Sequence, residues 1–199
     1  MAGSRAYASA PPARPPVARD PGGFPERPRV RIIGGVTAEA IPIVLARVVP
    51  FDALDPAQPA EAAVLALCEE ATTLVAAAPW CGSVVERHLG FGVGDVIAVV
   101  LFRVARDDGG SPWQWAVVGD VPPALMWSEA MLTPARALEG YVAAMRDEVT
   151  TIRGAGPLDG LVRFDAPEEV RWADALARRL DYNESALLPD CRAGAHVAG

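Results

Sequence analysis

An apolar run over residues 96–102 constrains the fold more than any other feature of the chain. Apolar side chains occupy both alternating faces of this run, which is typical of a strand in the middle of a sheet. The pair Asp108-Gly109 follows, and this dipeptide is a strong signal for a hairpin turn. The sequence therefore predicts a central strand over residues 95–105 and an antiparallel return strand over residues 113–118.

Three helices are predicted from apolar side chains that recur at spacings of three and four residues. They cover about residues 60–78, 133–153 and 167–180. The second helix has the clearest start, because Thr133 can cap its first turn and Pro134 suits the first helical position.

The remaining segments predict shorter strands. Residues 29–50 are rich in β-branched side chains and indicate two strands or a hairpin, while residues 84–89 and 124–128 each indicate one short strand. The glycines of residues 90–94 predict a flexible or bulged connection into the central strand. The expected fold class is α+β: an antiparallel meander of three or four strands with the helices packed on one face.

Composition divides the 199 residues into three parts. Residues 1–28 contain seven prolines and no apolar periodicity, so this arm is predicted to be disordered. Residues 29–189 are expected to form a single α+β domain. Residues 190–199 are expected to be a flexible tail.

Charge and length exclude several classes of function. A net charge of -7 and the lack of a basic patch in the folded part argue against a nucleic-acid partner. No apolar run approaches the roughly 20 residues that span a membrane, and the first residues do not resemble a signal peptide. We therefore expect a cytoplasmic protein with neither a membrane nor a nucleic acid as its partner.

The titratable residues suggest no metal, cofactor or catalytic site. The three cysteines, Cys68, Cys81 and Cys191, are too widely spaced to predict a disulfide framework or a zinc site. Cys81 with His88 as nucleophile and base, or Glu86 with His88 as two metal ligands, would each need further groups that the sequence does not supply. We therefore predict no catalytic residue, no metal ligand and no cofactor.

A set of candidate ligand-binding residues lies around the return strand. Trp113 and Trp115 share one strand face, and Asp120 follows that strand, which would place a rigid aromatic platform beside a carboxylate. His88 and Asp95 could add further polar groups to the same site. The alternative is structural: tryptophans that fill the core, and an Asp120 that bonds the backbone of its own turn.

The return strand and its exit also carry a resemblance. The pattern Trp113-x-Trp115-x-Val117-Val118-Gly119-Asp120-x-Pro122-Pro123-Ala124 resembles a family of small bacterial proteins with no established activity. Pro79-Trp80 upstream and the predicted helices downstream extend the resemblance over about residues 78–189. The chain departs from the expected pattern at Leu125, where an aromatic residue is expected. The resemblance implies a fold and no reaction.

Two functions of different classes remain. The first is a non-enzymatic interaction protein, for instance an immunity or antitoxin-like protein that neutralises a basic effector through its own acidic surface. The alternative is a small-ligand binding domain or an enzyme with its pocket near Trp115 and Asp120. Buried tryptophans would favour the first. Sequence leaves the identity of the partner and the oligomeric state open.

Overall fold

A computed structural model of the chain describes residues 31–33, 45–127, 131–154 and 166–198. The predicted disordered arm, residues 1–28, lies outside these residues. In chain order the elements are β1 (Arg31–Ile33), β2 (Val49–Pro50), α1 (Pro59–Ala76), β3 (Ser83–Val93), β4 (Ile97–Ala105), β5 (Trp113–Gly119), β6 (Ala124–Trp127), α2 (Pro134–Gly154), α3 (Ala166–Tyr182), α4 (Leu188–Ala193) and β7 (Val197–Ala198). A π-helical turn, Asn183–Leu187, joins α3 to α4.

The strands form one sheet in the order β1-β6-β5-β4-β3-β2, with β7 also paired to β3. Neighbours from β2 to β6 are antiparallel, whereas β1 runs parallel to β6 and β7 runs parallel to β3. The predicted α+β class with an antiparallel meander is confirmed. The sheet has more strands than the three or four predicted, because both ends of the described chain add short edge strands.

The central hairpin is confirmed. Every residue from Ile97 to Phe102 is buried in β4, as expected for a strand that is covered on both faces. The turn to β5 places Gly109 at φ 82°, and the Gly109 amide donates to the Arg106 carbonyl at 3.0 Å. Glycine adopts this positive φ without a steric penalty, which is why the Asp-Gly pair predicts the turn.

Helices cover both faces of the sheet, so the prediction of helices on one face is wrong. On one side, here called the α1 face, Leu89, Val100, Phe102, Ala116, Val118 and Leu125 pack with the buried side chains of α1. On the other, the α2 face, Ile97, Val99, Leu101, Trp115, Val117 and Met126 pack with α2, α3 and α4. The two-sided apolar pattern of β4 requires this arrangement, because a single helical layer would leave one apolar face in water.

The glycines of residues 90–94 do not form a flexible connection. Gly90 and Gly92 lie inside β3, and only Gly94 lies in the turn to β4. A Cβ atom on Gly90 would approach Pro134 to 2.9 Å, and one on Gly92 would approach Val64 to 2.6 Å. These two glycines therefore let the helices of both layers approach the sheet closely.

Both ends of the described chain join the sheet. The segment expected to hold two strands or a hairpin contains β1 and β2, which lie at opposite edges of the sheet and do not pair with each other. The expected flexible tail instead holds the end of α4, with Cys191 buried in the core, and β7, whose Val197 pairs with Gly92. Burial of apolar surface by α4 explains why this segment is ordered.

Candidate functional site

The structure separates the five residues predicted to bind a ligand. His88 and Trp113 meet on the α2 face, where their ring centroids lie 5.7 Å apart. Asp120 and Asp95 lie at the opposite end of the sheet, since the Asp120 amide donates to Val96 in the β3–β4 turn at 2.8 Å. Asp95 is exposed in that turn. The predicted group is therefore not a single site.

Trp115 is part of the core. Its side chain has no solvent exposure, and its Nε1 donates to the Met131 carbonyl at 2.7 Å. This bond satisfies the polar atom of the indole and fixes the chain that leads into α2. Trp115 therefore offers no platform to a ligand in solution.

Asp120 forms an ion pair with α3. Its two carboxylate oxygens accept from Nε and from a terminal nitrogen of Arg179, at 3.0 and 3.1 Å. The side chains of Asp120 and Arg179 are only 20% and 14% exposed. A two-pronged, partly buried pair of this kind holds α3 against the end of β5. Asp120 is therefore engaged by Arg179, whereas the sequence hypothesis placed its carboxylate beside an aromatic platform at Trp115.

Side chains from three adjacent strands and from the loop between β4 and β5 form what we call the His88 cluster: Glu86, His88, Arg103, Ser111 and Trp113. His88 Nε2 lies 3.3 Å from Glu86, and Arg103 donates to the other Glu86 oxygen at 2.8 Å. Arg103 Nε also donates to Ser111 at 3.0 Å. The partly exposed cluster therefore connects a carboxylate to an imidazole and a guanidinium.

The neighbours of Glu86 stabilise its ionised form. The hydrogen bond from Arg103, followed by that from His88, lowers the pKa of Glu86 from its ordinary value of 4.5. His88 contacts the carboxylate through Nε2, and its other ring nitrogen is Nδ1. That Nδ1 atom is buried and has no hydrogen-bond partner among the described residues. The cluster thus holds an ionised carboxylate between an imidazole and a guanidinium.

Loss of the Arg103 side chain should raise the pKa of Glu86. We expect Arg103→Gln to bring this pKa back toward 4.5, because the largest stabilisation of the ionised form is removed. A lowered carboxyl pKa contributes stability above pH 4.5 that is lost as the pH falls through the folded-state value. Carboxyl carbon shifts followed by NMR measure the titration. Arg106→Gln, at an arginine that pairs with Asp108, is the control and should leave Glu86 unchanged.

Cys81 does not join His88. Cys81 packs with the α1 face, whereas the ring of His88 lies against Trp113 on the other side of the sheet. Burial, and to a lesser degree the charge of Asp107, raises the pKa of the Cys81 thiol. The nucleophile–base pair considered from the sequence is therefore not formed.

Gln114 is a buried polar residue that sequence reasoning missed. It has no solvent exposure, and neither its amide oxygen nor its amide nitrogen has a hydrogen-bond partner within the described part of the chain. Leaving such a group unpaired costs about 1–3 kcal/mol. On the adjacent strand β6, Trp127 is the paired neighbour of Gln114. The Trp127 ring lies 5.1 Å from the ring of Trp80. Trp80 Nε1 is also buried and has no hydrogen-bond partner among the described residues. The one sequence signal for this position is a polar residue, Gln114, between two tryptophans of an otherwise apolar strand.

All charged side chains of α1 and of the loop that precedes it are acidic. Residues 51–82 contain no basic side chain and five acidic ones: Asp52, Asp55, Glu61, Glu69 and Glu70. Arg87 of β3 joins the loop to the helix, because it lies 5.0 Å from the Phe51 ring centroid and bonds Glu69 at 3.0 Å. All five except Glu61, which is half-buried, are exposed. We call this the acidic α1 surface.

The other helical layer carries charges of both signs. Arg192 of α4 pairs with Glu139 of α2, Arg146 of α2 pairs with Asp181 and Glu184, and Arg153 of α2 pairs with Asp174 of α3, while Arg136 pairs with Glu139 within α2. Arg192 and its neighbour Arg136 hold the pKa of Glu139 below its ordinary value. These acidic groups take part in helix contacts, whereas the acidic side chains of residues 51–82 have no basic residue within the same segment.

Comparisons with protein-family models, with curated proteins and with solved structures gave no match. The resemblance based on the tryptophan and Gly-Asp pattern stays a prediction. Among the described residues, no helix is long and apolar enough to cross a membrane. The same residues contain no group of three or more histidine, cysteine or acidic side chains arranged to hold a metal ion.

Proposed function

We propose that this chain is a non-enzymatic interaction protein that binds a basic protein partner on its acidic α1 surface. The observation that carries the proposal is the charge of residues 51–82, which combine five acidic side chains with no basic one. An immunity or antitoxin-like protein that neutralises a basic effector is the concrete form of this function. Complementary charge of this kind steers association and selects the partner.

Helix stability does not account for the acidic surface. Glu61 lies in the first turn of α1, where the helix dipole favours a negative charge. Glu69 and Glu70 lie well beyond that turn, where this effect has decayed. Both side chains are exposed, and within the described residues Glu69 pairs with Arg87 whereas Glu70 has no arginine partner. Glu70 is therefore open to a basic partner.

The burial of Trp115 and the ion pair of Asp120 favour this function over a ligand pocket near these two residues. Trp115 is sequestered in the core, and Asp120 is engaged by Arg179. Neither side chain is left to bind a substrate. The exposed acidic side chains of α1, in contrast, are open to another molecule.

The test is affinity purification of the full-length protein from its own organism, at low and at high salt. We expect one stoichiometric basic protein that is lost at high salt, because screening weakens contacts between exposed charges. Glu70→Arg should weaken binding of that protein about tenfold at low salt. Asp147→Arg makes the same charge change at an exposed position of α2 and is the matched control.

Two results would contradict the proposal. One is the absence of any stoichiometric partner at low salt. The other is a partner whose affinity responds equally to Glu70→Arg and Asp147→Arg, since that would indicate net charge and not the acidic α1 surface.

A further inference from the structure

We propose that Gln114, Trp80 and Trp127 form a binding site for a small planar molecule that carries a lactam or primary amide edge, the chemistry shared by nucleobases and nicotinamide. This site lies on the α1 face and is distinct from the acidic surface. It extends the function beyond partner binding, because a protein that binds a partner needs no such site.

The unpaired atoms of Gln114 carry the inference. Buried polar side chains in folded proteins nearly always have hydrogen-bond partners. Gln114 is fully buried, and both its amide oxygen and its amide nitrogen lack a partner among the described residues. A leucine would fill a strand position of this kind without that penalty. The amide is therefore explained by an occupant that supplies both a donor and an acceptor.

Trp80 provides an independent indication at the same place. Its Nε1 is also buried without a partner in the described chain, although an indole N–H usually finds one. Trp127 connects the two groups, because it is the cross-strand neighbour of Gln114 and its ring lies 5.1 Å from that of Trp80. Gln114 and Trp80, which together carry three unsatisfied polar atoms, are thus both neighbours of Trp127.

The donors and acceptors define the ligand chemistry. The Gln114 amide offers two N–H donors and a carbonyl acceptor, and Trp80 adds a donor. A ligand carbonyl beside an N–H group would satisfy both residues at once. Flat indole faces favour a planar ring. Trp80 lies in the loop between α1 and β3 and is partly exposed, so this loop is the way in from solvent.

The experiment titrates the full-length protein with uracil, hypoxanthine and nicotinamide, followed by tryptophan fluorescence and by thermal unfolding. 1,3-Dimethyluracil keeps the ring and loses both N–H groups, so it is the matched ligand control. Native mass spectrometry of the purified protein detects any such molecule that is already bound. We expect saturable binding of at least one probe and a response to dimethyluracil that is at least about tenfold weaker.

Gln114→Leu removes the amide and keeps the size of the side chain. We expect this variant to bind the probe at least about tenfold more weakly while its ligand-free melting temperature stays the same or rises. Trp80→Phe keeps an aromatic ring and removes the N–H group. If Gln114→Leu does not fold, weaker probe binding by Trp80→Phe is the test of the proposal. The proposal is overturned if no probe binds saturably, if the variants bind as the wild type does, or if NMR finds only an internal water at Gln114.

Discussion

Replacing Gly119 with alanine is expected to lower the free energy of unfolding by about 4 kcal/mol, which for a chain of this size lowers the melting temperature by roughly 8 to 16 °C. Gly119 has a φ of 124°, in a region that side chains rarely tolerate. A Cβ atom there would also overlap the backbone carbonyl of Val96 and approach the Ile97 Cα to 2.8 Å. Backbone atoms of the neighbouring strand cannot move aside as a flexible side chain can.

Gly109→Ala is the matched control for this prediction. Gly109 also has a positive φ, of 82°, but a Cβ atom there would meet nothing within 4 Å. Only backbone strain applies, so the loss should be about 1–2 kcal/mol. Urea unfolding of both variants measures the difference. Equal losses would show that close approach of the β3–β4 turn to Gly119 does not constrain this position.

Local patterns predicted much of the fold. The Asp108-Gly109 turn and the helix start at Thr133 depend on neighbours in sequence, and the Thr133 hydroxyl indeed accepts from the Arg136 amide at 3.2 Å. Which face each helix covers depends on long-range packing, so the placement of α1 opposite α2 was not predictable from periodicity. The role of Gly90 and Gly92 was not predictable for the same reason. Pro134 and Val64, which are distant in sequence, make the close contacts that require a glycine at these positions.

The candidate sites were predictable only in part. Glu86 and His88 share a strand face by simple alternation, and their contact follows from that spacing. Arg103 joins them only because β4 pairs with β3 in a register that places Arg103 opposite Glu86. Arg179 lies 59 residues from Asp120, and nothing in the local pattern connects the two. Partners fixed by register or by helix docking have no signature in a single sequence.

The Gly-Asp pair after β5 has a structural explanation. Gly119 lets the strand end against the β3–β4 turn, and Asp120 follows with its amide bonded to Val96 in that turn. Its carboxylate then reaches Arg179 on α3. Tyr141 of α2 donates to the Pro122 carbonyl at 2.8 Å, so a second helix is attached to the same exit. This short segment thus fixes the α2–α3 layer on the sheet.

Removing either partner of the Asp120–Arg179 pair is accordingly the second large effect that we expect. Asp120→Ala and Arg179→Ala should each lower the free energy of unfolding by about 3 kcal/mol, because each removes the two-pronged ion pair and leaves the remaining partly buried charge less well compensated. Side-chain exposures of 20% and 14% limit the compensation that water can supply. The corresponding fall in melting temperature is roughly 6 to 12 °C.

A double-mutant cycle separates the pair from the packing of each side chain. Arg153–Asp174 is the matched control, since it joins the same two residue types between α2 and α3 but is 49% and 46% exposed. We expect a coupling energy of about 2 kcal/mol or more for Asp120–Arg179 and below about 1 kcal/mol for the exposed pair. A coupling as small as that of the exposed pair would contradict the structural role of Asp120 and return its carboxylate to the candidate ligand-binding groups.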